Sequence, residues 1–171
     1  MSFTPSTIEA LSPNAVTLFR DTWGLLAAGS AEKCNTMTIS WGMLGELWGA
    51  DCVTVYVRPT RYTKEFLDAN EQFTISFLPA DAANRKIHGV TGAQSGRDVD
   101  KIALTGLTPV PAGESVAFAQ AQTVLVCRKL AVQAFDPAGF VDDLPRKVYG
   151  DEDPHVFYVG KIEQVLVRTS A

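Results

Sequence analysis

No G-x-G occurs in this 171-residue sequence, so the Rossmann fingerprint is missing, and no G-x-x-x-x-G-K-[ST] stretch is present to cradle a nucleoside triphosphate. Histidine is nearly as scarce. His88 and His155 stand alone, without clustered cysteine, which argues against a dedicated metal site, and neither a G-x-S-x-G elbow nor an H-E-x-x-H helix supports hydrolase chemistry. Cys34, Cys52 and Cys127 are odd in number and far apart; they form neither a disulfide framework nor a C-x-x-C pair and read as reduced thiols. Positive charge is in deficit, 15 Lys plus Arg against 19 Asp plus Glu for a net charge of -4, which argues against a nucleic-acid partner. No apolar run approaches the roughly 18 residues of a membrane span. Met1 to Val16 lacks both the basic start and the apolar block of a secretory signal, so the expected location is cytoplasmic, with no membrane partner.

What remains is ordinary globular material, 46% hydrophobic and 20% charged, without repeats or a linker, and its length predicts one domain over 1–171. Segments rich in β-branched and aromatic residues predict strands at Thr22–Ala28, Thr36–Trp41, Cys52–Val57, Phe73–Leu78, Ala121–Ala134 and Val156–Val167. Short helices are expected at Thr63–Asn70, at Asp81–His88 before the stop signals Gly89 and Gly92, after Asp98, and between Pro137 and Tyr149. Strands interrupted by small helices, without regular alternation, predict a mainly β fold with short helices, a barrel rather than a doubly wound sheet.

Three stretches carry chemistry. At Val55–Asn70 a strand ends near Val57, Arg58 and Pro59 turn the chain, and a helix begins around Thr60 to Thr63. Unpaired helix N–H groups, hydroxyls of Thr60 or Thr63 and the guanidinium groups of Arg58 and Arg61 suit a single phosphate. In Asn35–Trp41, strand alternation puts Thr36, Thr38 and Ser40 on one small polar face and Met37, Ile39 and Trp41 on the other, and a flat heteroaromatic ring can lie against such a polar face. The loop Ser95-Gly96-Arg97-Asp98-Val99-Asp100-Lys101 offers a glycine hinge and two basic side chains.

These residues fall in an ordered series. Asp21-Thr22-Trp23 leads to Ala27-Ala28-Gly29, then to Asn35 through Gly42, Leu44-Gly45, Leu47-Trp48 and Val57 through Thr63. Phe73-Thr74-Ile75-Ser76, Gly92, the Ser95 to Lys101 loop, Leu107-Thr108-Pro109, Asp153-x-His155 and Tyr158 through Ile162 follow. The series resembles the flavin reductase-like family, whose fold is the FMN-binding split β-barrel, and within it the flavoredoxin subgroup. The resemblance implies an FMN phosphate held by Arg58, Thr60, Arg61, Tyr62 and Thr63, and an isoalloxazine ring laid along Asn35, Thr36, Met37, Thr38, Ser40 and Trp41. It further implies Ser95, Gly96, Arg97 and Lys101 closing over the flavin, His155 approaching the ring, and a homodimer. The implied activity is electron transfer from NADH or NADPH through FMN to an acceptor, with no side chain acting as acid or base. The alternative is a flavoredoxin-type carrier reduced by a redox partner protein. Gln120, where an acidic residue is expected, and Ala131–Gly150, which matches only loosely, depart from the pattern on the substrate side.

Overall fold

The computed structural model describes residues 3–10 and 14–168; both ends of the expected 1–171 domain and part of the stretch read for a secretory signal lie outside the described residues. Ten strands are present among the described residues: β1 (Phe3–Ser6), β2 (Gly24–Gly29), β3 (Cys34–Ile39), β4 (Gly42–Leu47), β5 (Ala50–Val57), β6 (Gln72–Phe77), β7 (Pro109–Ala112), β8 (Ser115–Phe118), β9 (Thr123–Ala134) and β10 (Val156–Arg168). The main sheet runs β3-β2-β6-β9-β10-β5-β4, with β1 added against β10, and β7 and β8 form a separate hairpin. All these pairings are antiparallel. The path ends on β3 and β4, which are consecutive in the chain yet are not paired with each other among the described residues. The barrel is therefore split between them, bridged by Ser40 and Trp41.

The hydrophobic pattern of the central strands follows from two cores. Leu26 and Ala28 of β2, Phe73, Ile75 and Phe77 of β6, and Leu125 and Cys127 of β9 fill the barrel. Their neighbours Leu25, Ala27, Val124 and Val126 pack the other way, against Val116 and Phe118 of the β7–β8 hairpin and against Leu107. A strand with a core on each side loses the apolar-in, polar-out alternation of a half-exposed sheet, and β2 and β6 are buried at every position. Of the polar residues this traps in β6, Thr74 is bonded through its hydroxyl to the Val116 carbonyl, whereas the Ser76 hydroxyl is buried without a partner.

Helices α1 (Ala15–Thr17), α2 (Thr63–Ala69), α3 (Ala82–Ala93), α4 (Lys101–Thr105) and α5 (Asp143–Tyr149) decorate this frame. Several boundaries differ from expectation for local reasons. The strand expected from Thr22 starts at Gly24, because Leu18–Thr22 is a π-helical turn and Trp23 adopts a positive φ of 64°. The strand expected to reach Trp41 ends at Ile39. Helix α3 does not stop at His88; it runs through Gly89 and Gly92 to Ala93, since its buried face at His88 and Thr91 is hydrogen-bonded to Thr38 and carries the helix past both glycines. Strands β1, β4, β7 and β8 are additional to the sequence-based expectations.

Candidate functional site

The split between β3 and β4 is where the expected site residues gather. A polar pocket of about 130 Å³ is lined by Met37, Thr38, Ile39, Ser40, Trp41, Tyr56, Arg58, Arg61 and His155. It adjoins an aromatic groove of about 1030 Å³, and the two share Ser40, Trp41 and Tyr56. On the other side of Asn35, a cleft of about 590 Å³ takes in Asn35, Tyr62, Gly96, Arg97 and Lys101.

The turn after β5 is built differently from a capped helix N-terminus. Arg61 N–H donates to the Arg58 carbonyl at 3.0 Å, and Lys64 and Glu65 donate back to Arg61 and Tyr62, so these backbone donors are used inside the turn. Helix α2 begins at Thr63, not Thr60, and the residue before it, Tyr62, makes no side-chain cap. Thr63 is buried, and its hydroxyl accepts from Asn35 Nδ2 at 2.7 Å. Thr60 lies exposed, its carbonyl accepting from Arg97 at 3.2 Å. The expected threonine cap is thus absent, while the N–H groups of Tyr62 and Thr63 are not used inside the turn and remain donors beside the guanidinium groups.

Arg61 lies along the seam and donates to the Gly92 carbonyl at 3.0 Å. Arg58 is paired with Glu152, and its guanidinium lies 5.8 Å from the centre of the Tyr149 ring. Arg97 is paired with Glu65 and stacks 4.8 Å over Tyr62, while its backbone N–H donates to the Ser95 hydroxyl. Gly96 packs so closely on Asn35 and Tyr62 that a side chain there would collide with both.

The polar face of β3 is partly covered by α3. Thr36 is fully buried and its hydroxyl donates to the Leu26 carbonyl at 3.0 Å. The Thr38 hydroxyl lies under α3, 2.9 Å from the His88 carbonyl and 2.7 Å from the Thr91 hydroxyl. Thr36 therefore faces protein, while Thr38, half-buried under α3, still lines the polar pocket. Ser40 and Trp41, beyond the strand, are the exposed members, with Trp41 45% exposed at the pocket rim.

Lys101 does not reach outward. It is buried, and Nζ donates to the carbonyls of Thr36 at 2.9 Å and Thr91 at 3.0 Å, so α4 is tied to both β3 and α3. Burial, reinforced by the like charge of Arg61, lowers its pKa to about 8. His155 stacks against Trp41 at 4.7 Å between ring centres and meets the Tyr149 hydroxyl at 3.1 Å. Burial first, then the charges of Arg58 and Arg61, lower its pKa to about 4, so the imidazole is neutral at pH 7. Cys34 borders the cleft near Asn35; burial and the nearby Asp100 raise its pKa, so it is a thiol rather than an activated thiolate.

Sequence reasoning did not select Tyr56, Phe135, Phe140, Tyr149 or Glu152, which complete the site. Phe135, Phe140 and Tyr149 lie in the stretch that matches the family pattern loosely, yet three aromatic residues within fifteen positions were a usable signal. His88 and Thr91 could not be found from spacing, since their role is a contact between α3 and β3.

The donor set fits a phosphorylated aromatic ligand. Arg58 and Arg61 face a pocket of phosphate size, Lys101 adds buried positive charge behind it, and the pocket opens through Trp41 and Tyr56 onto an aromatic groove. The flavin reductase like domain model matches residues 19–171, and the chain belongs to that family. No curated protein matches it. Among solved structures, the fold is similar to the FMN-binding domain of a flavin reductase-like enzyme from Shewanella baltica, at 17% identity over 97% of this chain and 77% of that one, with a TM-score of 0.67. Flavoredoxin from Methanosarcina acetivorans is similar at 21% identity over 95% and 76%, TM-score 0.68. An FMN-binding protein from Thermus thermophilus is similar at 17% identity over 98% and 83%, TM-score 0.68.

Proposed function

We propose that this protein is an FMN-binding oxidoreductase that passes electrons from NADH or NADPH through the flavin to an acceptor. The observation that carries the reading is the junction at Ser40, Trp41 and Tyr56, where a pocket bearing two guanidinium groups meets an aromatic groove. A phosphate in the pocket is held by Arg58 and Arg61, and the planar ring it bears rests on the Trp41 rim. When bound, FMN supplies the hydride and electron chemistry, so the chain itself has to bind, orient and set the local potential. Arg61 and Lys101 make that potential positive, which favours an anionic ligand. Neutral His155, held by Tyr149 and Trp41, closes one side without adding charge. Asn35, Thr63 and Gly96 act behind these groups, locking the turn against β3 and the Ser95–Arg97 loop.

The same proposal takes the chain as one domain acting as a cytoplasmic homodimer. Its supports are the free thiols of Cys34, Cys52 and Cys127 and the exposed Met43, Leu47 and Trp48 on the edge hairpin β4–β5, a surface a second copy would cover. No helix among the described residues is long and apolar enough to cross a membrane.

The test is a fluorescence titration of FMN with the wild-type protein and with Arg61→Ala. The wild type should quench the flavin at one equivalent per chain, and Arg61→Ala should weaken binding roughly tenfold or more, the scale of a lost charge-assisted contact. Equal affinities would overturn the phosphate assignment.

A further inference from the structure

Residues 136–154 leave the barrel after β9 and return to it before β10, and most of their hydrogen bonds are internal. The Phe135 N–H donates to the His155 carbonyl at 3.1 Å and closes the base of the segment. Beyond that base, Gly139 and Phe140 donate back to Asp136 and Pro137, Gly150 to Arg146, and Glu152 to Tyr149. Asp136 and Asp142 cap the segment's own turns. Helix α5 buries one residue, Tyr149, and leaves Leu144 69% exposed, while Val141 ahead of it is 98% exposed. A segment with so little buried apolar surface sits at the low end of local stability.

Near the base, Phe140 meets Phe135 at 6.2 Å between ring centres and the Tyr149 hydroxyl meets His155 at 3.1 Å. Away from the base, among the described residues, the polar attachment to the barrel is made through Arg58. Its guanidinium pairs with Glu152 and lies 5.8 Å from the centre of the Tyr149 ring. The same side chain lines the polar pocket beside Arg61. The segment carries six carboxylates against two cations, Arg146 and Lys147. An anion that takes Arg58 from the pocket side therefore meets the Glu152 carboxylate at the same guanidinium, with further negative charge behind it, and like charges so placed repel.

We propose that residues 136–154 are a lid, latched onto Arg58 by Glu152 and loosened when a phosphate-bearing ligand takes that guanidinium. Leu144, Val148 and Tyr149 of the lid line the aromatic groove, so the latched position covers one side of the groove and loosening widens the way in. The ligand exchanges a carboxylate for a phosphate at a shared donor, and no covalent step is involved. That this ligand is FMN rests on the function proposed above; the latch between Glu152 and Arg58 does not. Coupling of this kind is reciprocal: the factor by which phosphate loosens the lid equals the factor by which unlatching tightens phosphate binding. One exposed ion pair with a cation–π contact sets that factor at roughly two- to tenfold.

Amide hydrogen exchange of the full chain, followed by mass spectrometry on peptides from residues 137–154, reads the lid, with inorganic phosphate and FMN as probes at constant ionic strength. Exchange across α5 should speed up roughly two- to tenfold with either probe, while the peptides of β6 and β9 stay as they were. Glu152→Gln should exchange at the faster rate without any probe, and phosphate should then add nothing. Wild-type exchange that holds constant or slows with bound phosphate or FMN overturns the proposal. So does a Glu152→Gln protein as protected as the wild type, a comparison that needs no ligand. Flavin fluorescence in the same samples separates the two readings. Faster exchange with phosphate, while FMN stays unquenched, sinks only the FMN assignment. Quenched FMN beneath a lid whose exchange is unchanged sinks only the latch.

Discussion

Replacing Lys101 by Met removes a buried cation while keeping its stem, and the effect on stability should depend on pH in a defined direction. Lys101 is 6% exposed, and its two partners, the carbonyls of Thr36 and Thr91, carry no charge. Its pKa falls from 10.5 to about 8, first through burial and then through Arg61. Between pH 10.5 and 8 the unfolded chain therefore binds a proton that the folded chain refuses. Stability falls as pH falls through that window, and the penalty is complete below about pH 8. At about 1.4 kcal/mol per pH unit it amounts to roughly 3 kcal/mol. Lys101→Met abolishes this penalty but leaves two carbonyls unpaired, at about 1–3 kcal/mol each. Near pH 7 gain and loss offset each other, so the variant should be close to the wild type. Near pH 10.5 only the loss remains, so the wild type should be ahead by several kcal/mol. Urea unfolding of both proteins from pH 7 to 10.5 reads the difference, in which the titration of other lysines, tyrosines and cysteines cancels. A gap that stays constant with pH would refute the reasoning.

Two further substitutions probe the frame and the pocket. Glu152→Gln frees Arg58 from an exposed ion pair worth about 0.2–1 kcal/mol. It should raise FMN affinity a few-fold in a fluorescence titration at low salt, whereas weaker binding would mean that Glu152 positions Arg58 rather than competes for it. Gly160 sits where the β10–β9 register shifts, and a Cβ there would lie 2.5 Å from Phe73 Cζ and 3.0 Å from Cys127 Cβ. Gly160→Ala should cost about 1–3 kcal/mol by thermal or urea unfolding, the scale of an overpacked core, and an unchanged melting temperature would contradict the packing.

The frame was legible wherever β-branched and aromatic residues clustered: β5, β6, β9 and β10 lie close to their expected places because their hydrophobic runs are long. Strands β4 and β7 were hidden by composition. Gly42, Gly45 and Glu46 weaken one, and Pro109 and Pro111 the other, and both form through pairing with a neighbouring strand. The family was legible from the order of its motifs, which does not depend on any one boundary. The site was legible as a set of residues more than as a set of contacts. Arg58, Arg61, Trp41 and His155 do share a pocket, but the roles of Thr36, Thr38, Thr63 and Lys101 turned on tertiary partners. Those partners are Leu26, His88, Thr91 and Asn35, and no spacing in the sequence relates them. The groove wall escaped notice because Phe135, Phe140 and Tyr149 meet only after the chain has folded back across Tyr56.

The central claim, that this chain is a nicotinamide-dependent flavin oxidoreductase, is tested most directly by anaerobic titration of the FMN-loaded protein with NADPH and then NADH, following the oxidised flavin absorption band. Rapid bleaching by one of the two is the predicted result and identifies the donor. Persistence of the band with both, while dithionite still reduces the bound flavin, would contradict the claim and leave an electron carrier that takes its electrons from a partner protein.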